Sequence, residues 1–113
     1  MTARYQVRPH KINQCKQAIK NLVEYVKKNE KDTFYYIASQ EILNPYAFIH
    51  MMIFKDDTAL TMHRSSEAAE RFVNIVYPST IDPIEFKEYK EIAQIPKFFK
   101  IENLKIQNLK FLQ

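Results

Sequence analysis

The chain has 113 residues, 46% of them hydrophobic and 27% charged, and it contains no glycine or tryptophan. That is one domain with a single core, and no apolar run approaches the roughly 20 residues needed to span a bilayer. The net charge of +4 is spread over scattered lysines rather than a dense basic block, so a nucleic-acid arm is not expected. The missing glycines exclude the P-loop and the dinucleotide-binding turn, which need positive φ and close backbone approach to an anion.

From Ala3 to Arg8 apolar Tyr5 and Val7 alternate with Arg4, Gln6 and Arg8, the pattern of a strand that Pro9 ends. No apolar signal region precedes it, and the cytoplasm is the expected location. From Ile12 onward Cys15, Ala18, Ile19, Leu22, Val23 and Val26 recur at helical spacing, and the helix ends in the polar run Lys27 to Asp32. Cys15 is the only cysteine, which excludes an internal disulfide and suits a reducing compartment. With no cation on its stripe it reads as an inert buried thiol.

Thr33 to Gln40 is aromatic and β-branched enough for a second strand. Asn44-Pro45 marks a turn, and Ala47 to Phe54 forms the third strand, so short a link making the two an antiparallel hairpin. Asp56 caps a helix on which Ala59, Leu60 and His63 share one face. Ser65 or Ser66 caps a further helix with Ala68, Ala69, Phe72, Val73 and Val76, stopped by Pro78. Alternation over Ile84 to Ile95 predicts a fourth strand. Beyond Pro96, residues 97–113 are too apolar for a disordered end, with a period ambiguous between helix and strand. Residues 1–95 are thus expected to form the domain, and 96–113 an apolar extension packing on it or on a partner.

The order β-α-β-β-α-β is the ferredoxin-like arrangement, an antiparallel α+β sheet with helices on one face. The third strand is apolar on both sides, with Ile49, Met51 and Ile53 on one and Phe48, Met52 and Phe54 on the other. One layer of helices covers one face only, and a homodimer through the open sheet face is the simplest cover for the other. RNA-recognition modules share the topology. Their third strand carries a Lys/Arg-Gly-Phe type motif on an open face, and here it has no glycine, no arginine and two methionines, which ranks RNA binding second.

Pro9 closing the first strand, Thr33-Phe34-Tyr35-Tyr36, the strand Phe48 to Phe54, and Asp56, Ala59, Leu60, His63, Ser66 and Phe72 together resemble the antibiotic biosynthesis monooxygenase family. These are small dimeric α/β-barrel proteins that include quinol monooxygenases. The resemblance covers about residues 3 to 95 and is most specific over Asp56 to Phe72. Ala68 stands where many members carry a second histidine, Met52-Ile53-Phe54 where the strand often ends Glu-Val-Trp, and Asp32 where glycine is usual. Haem-degrading relatives use a tryptophan and a helical histidine. This chain lacks tryptophan and has Val73 near that histidine's place, which disfavours haem degradation.

The resemblance implies a cofactor-independent monooxygenase acting on a hydroquinone or polyketide-type phenol. His63 would deprotonate or orient the phenol. Tyr36 would supply a positioning hydroxyl, with His50, Met52, Phe54, Leu60 and Phe72 lining the substrate site. The competing readings are a core histidine at 63, structural burial of His50, and a non-catalytic dimeric domain that binds a small apolar ligand. His10 is expected to be solvated. Histidines at 10, 50 and 63 lack zinc-site spacing, and neither metal nor cofactor is expected.

Overall fold

The structure is a computed structural model that describes residues 1–95. In chain order its elements are β1 (Thr2–Gln6), a 3₁₀ turn (Pro9–Lys11), α1 (Ile12–Asn29), β2 (Thr33–Gln40) and β3 (Ala47–Phe54). There follow α2 (Asp57–Ser65), α3 (Glu67–Val76), a second 3₁₀ turn (Tyr77–Ser79) and β4 (Glu85–Lys87). The strands form one antiparallel sheet in the order β2-β3-β1-β4. This is the ferredoxin-like α+β arrangement that the alternating pattern predicts. The extension expected over 96–113 lies outside the described residues.

Register divides the side chains of the sheet cleanly. Ala3 lies opposite His50, Tyr5 opposite Phe48, and Tyr36 opposite Met52, which puts these residues on one face. Thr2, Ile37 and Met51 share the other face. α1 buries Cys15, Ala18, Ile19, Leu22 and Val26. Tyr5, Val7, Phe48 and Val76 join the first three in one cluster, and Leu22, Val26 and Ala68 form a second under α3. Between the two clusters lie Tyr36, His50 and Phe72, and here the core is not filled.

The β2–β3 turn is built without glycine. The Asn44 side chain accepts from Tyr46 N at 3.2 Å and its carbonyl from Ala47 N at 3.0 Å. Asp56 accepts from Ala59 N at 2.9 Å as the N-cap of α2. Ser66 both ends α2, donating to the His63 carbonyl at 2.9 Å, and starts α3, accepting from Ala69 N at 3.0 Å. Asp56→Ala should therefore cost about 1 kcal/mol in urea unfolding, with an unchanged denaturant slope.

The fourth strand is shorter than the alternation over Ile84 to Ile95 predicts, and comprises only Glu85–Lys87. Its antiparallel partner β1 meets it at Arg4↔Glu85, Ala3↔Phe86 and Thr2↔Lys87, and Thr2 is the first residue of β1. Past Lys87 the chain has no ladder to join among the described residues. A correct alternation yields a strand only where a partner supplies hydrogen bonds. The first strand likewise ends at Gln6, and Val7 contributes only an isolated bridge to Thr80.

Candidate active site

The unfilled space is a cavity of about 310 Å³ between the helix-facing side of the sheet and α2 and α3. That lies at the lower end of the roughly 300–1,000 Å³ of small-molecule sites. His50 and Met52 of β3, Tyr36 of β2 and Tyr5 of β1 form its floor; Leu60 and His63 of α2, with Phe72 of α3, form the opposite wall. Arg64, Tyr77 and Phe86 also border it and are exposed, which marks its mouth. Six of the seven expected site residues thus surround one cavity. Phe54 does not line it. Its ring lies beside His63, centres 5.3 Å apart, where it supports the imidazole instead.

Two hydrogen-bonded units carry the polar chemistry. In the first, His50 is 1% exposed and bonded at both ring nitrogens, Nε2 to the Tyr5 hydroxyl at 2.6 Å and Nδ1 to the Tyr36 hydroxyl at 2.7 Å. Burial, and secondarily the nearby His63, lower its pKa from 6.5 to about 4, so the ring is neutral near pH 7. Burial raises both tyrosines well above the ordinary phenol value. The charge of Glu30 adds to this at Tyr36, and Tyr36 and then Cys15 add to it at Tyr5. Both phenols remain protonated. Positioning this unit takes three strands, because β1, β2 and β3 each place one member on the same face.

In the second unit, His63 Nδ1 lies 2.9 and 3.0 Å from the two carboxylate oxygens of Glu30. A carboxylate only accepts, so Nδ1 carries the proton, and in the neutral ring the lone pair falls on Nε2. Glu30 follows the last turn of α1, its N–H bonded to the Val26 carbonyl at 3.0 Å. The Thr33 hydroxyl donates to Glu30 Oε1 at 2.7 Å. The carboxylate is thereby fixed from both sides of the α1–β2 turn, and its side chain is as sheltered as that of His63, each 10% exposed.

Sequence reasoning missed Glu30, which reads as the polar end of a helix and meets His63 across 33 positions. It also read Tyr5 only as an apolar strand residue. The available signal was register, since a Tyr two residues beyond the position opposite His50 reaches it on the same face. His10 is exposed and does not line the cavity. Cys15 is fully buried, and burial pushes its thiol pKa up against the opposing hydrogen bond from Ser79 and charge of Lys11, which leaves it unreactive. Among the described residues no three of His, Cys, Asp or Glu cluster as metal ligands, and no helix is long and apolar enough to cross a membrane.

An antiparallel sheet, helices on one face and a ligand-sized cavity between them define a small ferredoxin-like domain with an internal site. The chain belongs to the antibiotic biosynthesis monooxygenase family, whose family model matches residues 1–75, β1 through nearly all of α3. Among solved structures it is similar to a provisionally assigned antibiotic biosynthesis monooxygenase from Bacteroides thetaiotaomicron (TM-score 0.79, 14% identity, 85% of this chain and 90% of that one). A second such protein, from Nitrosomonas europaea, gives a TM-score of 0.76 at 15% identity, over 81% of this chain and 88% of that one. A conserved protein from Methanosarcina mazei Go1 gives 0.74 at 23% identity, over 80% and 89%. At these identities the likeness is one of fold. No curated protein matches the chain.

Proposed function

We propose that the protein is a cofactor-independent monooxygenase that oxidises an electron-rich aromatic, a hydroquinone or polyketide-type phenol, with molecular oxygen. The observation that carries this is the His63–Glu30 pair set in the wall of a largely apolar cavity. Glu30 holds the Nδ1 proton, so Nε2 is the base that takes the phenolic proton. Glu30 also stabilises the imidazolium that results, as the carboxylate does in other carboxylate–histidine pairs. The apolar walls raise the energy of the bare phenolate relative to water, which favours its giving up an electron to oxygen. Overall a phenol and O₂ yield a quinone and water: one oxygen atom enters the ring, the other leaves reduced, and the substrate supplies all the electrons.

The protein is placed in the cytoplasm and acts as a homodimer through the open sheet face. Ile37 and Met51 there are 43% and 45% exposed, beside half-buried Ile49 and Ile53, and the helices lie on the other side.

The test is oxygen uptake with a panel of hydroquinones and phenols. The unmodified protein should consume oxygen well above buffer, and His63→Ala should lose about 10²–10⁴-fold in kcat/KM. Glu30→Gln should lose less, and chiefly in kcat, because it removes the carboxylate's hold on the imidazolium while the base remains. Uptake no greater than in buffer would leave a non-catalytic domain binding a small apolar ligand, and full activity in His63→Ala would overturn His63 as the base.

A further inference from the structure

The Tyr5–His50–Tyr36 unit holds three polar protons: two phenolic O–H groups and one imidazole N–H. It makes two hydrogen bonds, one at each ring nitrogen. Each bond uses one proton, so one proton is left over whichever way the imidazole is tautomerised. If His50 Nδ1–H donates to Tyr36, then Tyr5 donates to Nε2 and the Tyr36 O–H remains. In the other tautomer the Tyr5 O–H remains. Neither hydroxyl has another acceptor among the described residues, and both tyrosines border the cavity. A buried donor without an acceptor is costly, so the cavity is built for an occupant that accepts one hydrogen bond.

Packing chooses between the two hydroxyls. Tyr5 is 7% exposed, stacked on Phe48 with ring centres 5.6 Å apart and edge-on to Phe72 at 6.5 Å. Tyr36 is only half-buried, and its ring lies 5.7 Å from that of His63. The freer hydroxyl is therefore also the one beside the second unit. There the constraint is opposite in sign, because Glu30 takes the Nδ1 proton of His63 and leaves Nε2 as an acceptor in the neutral ring.

From this geometry we infer that the cavity selects aromatic ligands bearing two oxygens on neighbouring carbons, one accepting from the Tyr36 O–H and one donating its hydroxyl proton to His63 Nε2. The inference rests on the oxygenase reading for what happens next and narrows its substrates to catechol-type compounds. Donor and acceptor are adjacent side chains on the cavity wall. A para-hydroquinone, whose oxygens lie on opposite sides of the ring, is expected to satisfy only one of the two. His50 then acts as a positioning residue, since an Nδ1–H donated to the Tyr36 oxygen leaves the Tyr36 proton to point at the ligand.

Binding measured without oxygen separates this from catalysis. Catechol, hydroquinone and phenol, each with its two-ring counterpart, are titrated calorimetrically against the unmodified protein under nitrogen. The vicinal diols should bind about tenfold or more tighter than the para-diols and the mono-phenols, as one added buried hydrogen bond implies. Tyr36→Phe should abolish that preference, bringing the vicinal diols down to the affinity of the para-diols. Tyr5→Phe should keep it, because His50 can still donate to Tyr36. Equal affinities for the vicinal and para compounds, no binding by any probe, or a preference surviving in Tyr36→Phe would each overturn the inference. The comparison in unmodified protein decides even if a variant fails to fold. Failure of the oxygenase reading looks different: the affinity order holds, but none of the bound compounds is oxidised once air is admitted.

Discussion

Replacing Met51 with glutamate is expected to dissociate the proposed homodimer, and it should weaken the fold at the same time. Met51 is 45% exposed in the protomer, at the centre of the helix-free face, with Ile37 opposite it on β2 and Thr2 opposite it on β1. A two-fold axis through that face brings two copies of each substitution into one interface. Two unpaired carboxylates excluded from water cost roughly 4 kcal/mol or more, about a thousandfold in Kd. The interface itself should bury above roughly 2,000 Å², as obligate dimers do, so its loss re-exposes apolar surface around Met51 that the described segment from Glu88 to Ile95 borders without burying. Sedimentation at micromolar concentration, with urea unfolding of the same samples, reads both effects. A stable, folded monomer of 13.5 kDa for the unmodified chain would rule out this assembly.

The second large effect is a loss of stability on mild acidification that traces to His50. Its folded pKa of about 4 lies below the ordinary 6.5, because the cationic ring would be cut off from water. The groups around it are the phenols of Tyr5 and Tyr36 and the ring of His63, so no carboxylate touches it to offset that cost. As pH falls below 6.5 the unfolded chain takes up a proton that the folded chain refuses. Stability from this group is therefore complete well above 6.5 and falls away as pH drops toward 4. A depression of about 2.5 at 1.36 kcal/mol each amounts to ~3 kcal/mol, of which about 2 is lost by pH 5. Urea midpoints should decline between pH 7.5 and 5, ahead of most carboxylate titration. His50→Gln, which keeps an amide between the two tyrosines and has no proton to gain, should be less stable at pH 7.5 but much flatter with pH. Identical pH dependence in the two proteins would contradict the assignment.

The parts of the molecule legible in the sequence are those whose physics is local. The spacing Asp56, Ala59, Leu60, His63, Ser66 reads directly as cap, apolar face and second cap, and the structure has each in that role. The stripe from Cys15 to Val26 behaves the same way. What was not legible depends on partners distant in the chain. Ile84 to Ile95 alternates correctly, yet only Glu85–Lys87 is a strand, since strand formation is a property of pairs. Glu30 is indistinguishable from its solvated neighbours until folding brings it against His63. Phe54 has the parity of Phe48 and Met52. It lies at the far end of the hairpin, beyond the irregularity between Thr33 and Tyr35, and so ends up beside His63 instead of over the cavity.

A single residue, Ser66, separates the helix that carries His63 from the helix that carries Phe72, and its one hydroxyl bonds to both. Such a joint has no slack. One residue inserted there must either extend a helix, turning everything beyond it by about 100° about the axis, or break the double cap. Either outcome carries Phe72 and Val73 away from the wall opposite His50. The length of the chain between 63 and 72 thus acts as a ruler for the depth of the site. Variants intended to admit wider rings would do better to trim Leu60 or Phe72 in place than to alter the spacing between them.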